Sequence, residues 1–267
     1  MTNHVQTPIK TILHEGKTII GTMLIQARAP AFIQLFAAFG LEFVIIDMEH
    51  GSYNLETAAD LIQVARLAGI TSLVRLGEVQ YTLYSRALDA GAQGIVTPRV
   101  ESASTVQDIL RFTRYPPEGE RGFSPLGAHG DYNIGPGLPG PSSQEFVRRA
   151  NRDLLNIIMI ETRRGLENID SILSISGIDG VLVGLQDLAL SLGLAGDTTH
   201  PEVEAALERI MTACQHHSTP WGLHIPEARR LAGWIKRGMQ IACFSADIWM
   251  IQQVLRDDLP ILRDAIR

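Results

Sequence analysis

The feature that most constrains this chain is an alternation that recurs eight times along it. Short apolar runs rich in β-branched residues appear at Thr18–Ile25, Phe43–Glu49, Thr71–Gly77, Gly94–Val100, Leu155–Thr162, Gly180–Asp187, Pro220–Ile225 and Gln240–Asp247. They are apolar on both faces, as strands of a parallel sheet covered by helices must be. Between them lie amphipathic stretches such as Thr57–Leu67, Tyr84–Ala90 and Val203–Cys214, several closed by a glycine (Gly40, Gly69, Gly91, Gly238) suited to a helix C-cap. Eight strand–helix units predict an α/β fold, a single (β/α)8 TIM barrel spanning residues 1–267. A length of 267 residues is ordinary for one such barrel.

One segment breaks the rhythm. Residues 115–143 are rich in Gly and Pro and are expected to form an excursion over the barrel mouth, either a lid or an interface arm. Its prolines lack the amide donors that a phosphate nest needs. Beyond the last strand, Ile248–Ile266 places Ile251, Val254, Leu255 and Leu262 at near-helical spacing, a C-terminal helix suited to packing on a neighbouring subunit. A net charge of −6 excludes a basic nucleic-acid surface. The sequence shows neither a secretory leader nor a membrane-length apolar run, and Cys214 and Cys243 form no CxxC pair, so a cytoplasmic protein with reduced thiols is expected.

In a barrel the C-terminal ends of the strands face the active site. Here those ends carry Asp47, Glu49 and His50, then Arg75, Arg99, Glu161, Asp187, His224, Ser245 and Asp247, whereas the opposite ends carry mostly Thr, Gly, Leu and Pro. Glu161 and Asp187 are expected on neighbouring strands at the same depth, and two carboxylates so placed can chelate one hard divalent cation while leaving positions open for water and substrate oxygens. An imidazole titrates near neutrality, which makes His50 a candidate general base. Arg75 is a cationic fork suited to a carboxylate or a developing oxyanion. Asp89, on the following helix, is a candidate to hold His50 in one tautomer. The only lysines are Lys10, Lys17 and Lys236, and none falls at a strand C-terminal end. That argues against an imine-forming aldolase or a pyridoxal-phosphate enzyme.

The run IIDMEHG resembles the second-strand motif of the HpcH/HpaI aldolase family. The resemblance continues through LVRLGE, LDAGAQGIVTPRVESA, RYPPEGERGF, IMIETRRGLENID and VLVGLQDLALSLG, over roughly residues 18–250. It implies a metal-dependent class II aldolase on a barrel, with Mg, Mn or Co as cofactor. His50 resembles the family's base, Arg75 its oxyanion stabiliser, Asp89 the acid that tunes the histidine, and Glu161 and Asp187 the metal ligands. It further implies a homo-oligomer, a hexamer with the C-terminal helix exchanged between subunits. The chain departs from the family at Met159, Gln186, the Met23–Leu24 pair, Arg99 and His224. The expected substrate-facing positions are therefore Gln186, Met159, Gly184, Leu24 and His224, with Asp47 and Glu49 behind the catalytic groups.

The expected reaction makes or breaks the bond between pyruvate, as its enolate, and an aldehyde, on a 4-hydroxy-2-oxo acid. Two alternatives stand beside it: a biosynthetic enzyme that decarboxylates oxaloacetate and adds the enolate to an unusual acceptor, and a non-enzymatic 2-oxo acid binding protein.

Overall fold

Each apolar run becomes a strand, and each strand buries both of its faces. The computed structural model describes residues 8–124, 127–133 and 142–267. Its strands are β1 (Ile19–Leu24), β2 (Phe43–Asp47), β3 (Thr71–Arg75), β4 (Gly94–Thr97), β5 (Leu155–Met159), β6 (Gly180–Val183), β7 (Trp221–Ile225) and β8 (Ile241–Ala246). They pair in parallel in chain order, and β8 returns to β1, closing an eight-stranded barrel. Most stop a few residues short of the apolar runs, because the remaining residues turn into the loops of the mouth.

The helices are α1 (Ile9–His14), α2 (Ala31–Ala38), α3 (Leu55–Ala68), α4 (Tyr81–Asp89), α5 (Ala103–Thr113), α6 (Ser143–Asp153), α7 (Arg163–Glu167), α8 (Ile169–Leu173), α9 (Leu185–Ser191), α10 (Pro201–His216), α11 (Ala228–Ile235) and α12 (Asp247–Asp264). The local chemistry sets their ends. Asn54 caps α3 by accepting from the Thr57 N–H at 2.9 Å, a contact worth about 1 kcal/mol. Gly69 then ends that helix at φ 74°, where a side chain would be strained. Among the described residues no helix is long and apolar enough to cross a membrane.

Two apolar layers follow from the period-two alternation of the strands. Met23, Phe43, Ile45, Leu73, Ile157 and Met159 fill the barrel interior. Leu24, Val44, Ile46, Val74, Ile158 and Leu223 face the helices.

The described part of the 115–143 excursion lies at the opposite end of the barrel from the expected mouth. Arg121 Nη2 donates to Asp89 Oδ1 at 2.7 Å, and the Arg121 guanidinium sits 4.5 Å over the Tyr115 ring. Arg66 donates to the Ala128 carbonyl. Asp89 and Arg66 end or nearly end helices that run antiparallel to the strands, so this contact surface is the N-terminal face. The physical reason is direction: α5 carries the chain down from the mouth, and the excursion begins where α5 stops. Most of the IGPGLPGPSS run lies outside the described residues.

Candidate active site

Asp47, at the last position of β2, organises the mouth. Its Oδ1 accepts from the Glu49 N–H at 3.1 Å and the His50 N–H at 3.4 Å, which folds the loop after β2 back over the strand end. The same carboxylate takes the Arg75 fork, Nε to Oδ1 at 2.8 Å and Nη2 to Oδ2 at 2.7 Å. Both side chains are buried. Burial raises the Asp47 pKa, but the Arg75 hydrogen bond and charge and the two loop amides outweigh it, and the carboxyl is held below its ordinary range. Burial likewise disfavours charged Arg75, yet Asp47, with Glu49 and Glu161, keeps it firmly protonated. Arg75 has five N–H donors and gives two of them to Asp47, so donors remain for another anion.

Glu49 lies beside this pair. Its Oε2 is 3.3 Å from Arg75 Nη1 and 3.9 Å from His50 Nε2, within ion-pair range but without an aligned hydrogen bond. His50 itself is exposed. Gly51 lets the loop close, since a Cβ there would strike the carbonyl oxygens of Asp47 and Ile25.

Across the barrel Glu161 follows β5 and is 2% exposed. Its Oε1 accepts the Arg99 backbone N–H at 2.9 Å, while its Oε2 is buried with no partner among the described residues. Arg99 holds a left-handed φ of 52°, costly for a residue with a Cβ, and that turn aims the amide. Burial drives the Glu161 pKa up to about 7; the Arg99 amide opposes this, the charges of Asp187 and Glu49 add to it, and Arg75 offsets them in part. Gly184 is the cradle: a Cβ there would run into Glu161 Oε2 and meet Met159 Cε at 3.1 Å.

The structure brings Asp47, Glu49, His50, Arg75, Glu161, Gly184, Asp187 and His224 to one end of the barrel. Three expectations are corrected. Asp187 is not on a strand: β6 stops at Val183, and Asp187 lies in the first turn of α9, where the helix dipole favours an anion, with Gln186 exposed beside it. Leu24 faces the helix layer and is fully buried there; its neighbour Met23 holds the interior position, because one residue along a strand reverses the face. Asp89 ends α4 at the N-terminal face, bound to Arg121 and beside His129, so within one chain it does not meet His50. Met159 lies in the barrel interior at 1% exposure, which makes it packing beneath the site. The Arg99 amide was not foreseen. Its only signal was an arginine at an apolar strand's end, and a backbone donor is independent of the side chain that marks it.

The donor set fits a hard divalent cation. A buried carboxylate oxygen without a partner among the described residues, a second carboxylate close enough to raise its pKa and a glycine leaving open the space beside that oxygen are donors suited to such an ion. Among the described residues no group of three or more His, Cys, Asp or Glu is placed to hold a metal ion, so two protein carboxylates would leave most of an oxygen shell to water and substrate.

Fold and site together define a (β/α)8 barrel whose charged groups gather at the C-terminal mouth, where barrels of this class carry their active sites. The chain belongs to the HpcH/HpaI aldolase/citrate lyase family, whose model matches residues 22–250, and it is a carbon–carbon lyase. It is 31% identical to a hydroxypyruvate/pyruvate aldolase of Roseovarius nubinhibens over 254 residues, 94% of each chain. It is 28% identical to a 4-hydroxy-2-oxo-heptane-1,7-dioate aldolase of Escherichia coli, over 92% of this chain and 91% of that one. The solved structure of an HpcH/HpaI aldolase from Desulfitobacterium hafniense superposes with a TM-score of 0.88 at 32% identity, covering 95% of this chain and 96% of that one.

Proposed function

We propose that the protein is a divalent-metal-assisted aldolase that makes or breaks the carbon–carbon bond between pyruvate and an aldehyde, on a 4-hydroxy-2-oxo acid. The observation that carries this reading is Glu161: deeply buried, tied to one amide through Oε1, with Oε2 unpartnered and Asp187 beside it. A cation held by Glu161 and Asp187 would supply the Lewis acidity that lets a 2-oxo acid form an enolate near neutral pH.

The chain's own groups then divide the work. Asp47 fixes the Arg75 fork, and the N–H groups left over donate to the keto oxygen as negative charge develops there. His50, on the exposed loop after β2, accepts the proton of the 4-hydroxyl as the bond to the aldehyde breaks, and returns it in the synthetic direction. Hydrophobic residues under the site, Met159 among them, exclude water from below.

Incubation with pyruvate and short aldehydes tests the reading. Turnover is expected with added Mg, Mn or Co, is lost in excess EDTA and returns when metal is restored. Glu161→Ala and Asp187→Ala should each weaken Mn binding in calorimetry by tenfold or more. Full turnover after exhaustive chelation would overturn the metal assignment.

A further inference from the structure

His224 is not used by the mechanism above, and the structure builds a setting around it. Side chains of β7 alternate between two layers. Leu223 and Ile225 join the layer under the helices, which leaves His224 pointing into the barrel interior one residue from the strand end. There it feels the charges of Arg75 and Asp47.

Three contacts fix its ring. Trp249, in the first turn of α12, stacks on it with centroids 5.0 Å apart and planes 11° apart. Its Nε2 lies 2.9 Å from the Ser245 carbonyl oxygen. The same oxygen accepts from Thr22 Oγ1 at 3.3 Å, and Ser245 holds a left-handed φ of 57° to present it. A carbonyl oxygen only accepts, so Nε2 carries the proton and Nδ1 an open lone pair. Burial pushes the imidazole down to about 4, which leaves Nδ1 an acceptor at working pH. Nδ1 has no hydrogen-bond partner among the described residues.

An acceptor needs a ligand that brings a donor. The carboxylate and keto oxygens of pyruvate bring none, and neither does an aldehyde carbonyl. The 4-hydroxyl formed in the reaction is served by His50. We propose that His224 is the acceptor-side specificity residue: its Nδ1 receives a hydroxyl carried by the aldehyde, so the site takes short 2-hydroxyaldehydes in preference to alkyl aldehydes of the same size. This inference rests on the aldolase reading above.

The test compares kcat/KM for addition of pyruvate to glycolaldehyde and to propanal, which differ by a hydroxyl against a methyl, with Mn supplied. The ratio of the two cancels any damage common to both reactions. The wild type should favour glycolaldehyde by about tenfold or more, since a group built to receive a hydroxyl is left unpaired by the methyl. His224→Phe keeps the stack on Trp249 and removes the acceptor, so its ratio should fall to near one. Trp249→Leu frees the ring and should lower the ratio part of the way; this variant decides the matter where His224→Phe does not fold. A wild-type ratio near one, a ratio unchanged in the variants, or equal losses with both aldehydes would overturn the proposal. Exchange of pyruvate methyl protons in D2O, measured by NMR without aldehyde, separates the two levels. Absence of exchange overturns the aldolase reading and the inference with it, whereas exchange without a hydroxyl preference overturns the inference alone.

Discussion

Glu161 shows how a single buried carboxylate can be costly to the fold. Its folded pKa of about 7 stands above the ordinary carboxyl value of 4.5, so the native state binds the proton more tightly than the unfolded chain does. The sign follows. Above pH 7 the metal-free protein bears the full cost of a buried charge; as pH falls from 7 towards 4.5 that cost disappears. Metal-free Glu161→Gln should therefore melt higher than the metal-free wild type at pH 8, by several degrees, and the gap should close towards pH 5. Differential scanning calorimetry in chelator reads this directly; a gap that grows on acidification would contradict the burial argument. Gly184 provides the companion test. Gly184→Ala puts a methyl against Glu161 Oε2, so it should lower Mn affinity at least tenfold in calorimetry while leaving the far-UV circular dichroism spectrum intact.

At the level of elements, α12 is the odd member. Only Asp247 on it is buried. That carboxylate clamps the loop after β1, accepting the amides of Ile25, Gln26 and Ala27 at 3.0, 2.9 and 2.5 Å. Beyond it the helix presents Val254 (58% exposed), Leu255 (49%) and Leu262 (63%) without packing them on its own barrel. We propose that this open apolar stripe packs against a second copy of this chain. Replacing Ile251, Leu255 and Leu262 by Lys should shift the mass in light scattering from an oligomer to a monomer at micromolar concentration; an unchanged mass would remove the helix from the interface. The strands were legible in the sequence because both faces are buried and their runs are unbroken, and the charged residues at their ends marked the mouth. What was not legible depended on direction and register. Leu24 and Met23 differ by one residue and by the whole thickness of the sheet. Asp89 is close to Arg75 in sequence, but α4 carries it to the other end of the barrel. The run GVLVGLQD reads as one strand, yet Gly184 breaks it and α9 begins at Leu185.

Over the whole molecule the barrel separates two kinds of charge, and that separation supports the metal-assisted chemistry proposed above. The carboxylates of the site, with Arg75 and His50, stand at the C-terminal ends of the strands. The lysines stand at the other end. Lys10 holds the Leu154 carbonyl at 2.9 Å and Asp179 at 3.0 Å, just ahead of β5 and β6. Lys17 precedes β1 and pairs with Glu15. Lys236 caps α11 shortly before β8. A pyruvate enolate needs an electron sink, and a protein supplies either a lysine iminium or a metal ion. An iminium requires an amine within bonding distance of the keto carbon, and the body of the barrel lies between these amines and the mouth. Borohydride added with pyruvate should therefore neither inactivate the enzyme nor raise its mass by a reduced pyruvyl adduct. Intact-protein mass spectrometry checks the second point and a turnover assay the first. Lys10→Met breaks the ties to Asp179 and Leu154, so it should lower the melting temperature by a few degrees while kcat stays within about twofold of the wild type. An adduct mapped to Lys10, Lys17 or Lys236, or a collapse of kcat in Lys10→Met at unchanged stability, would show that the N-terminal face takes part in the chemistry after all.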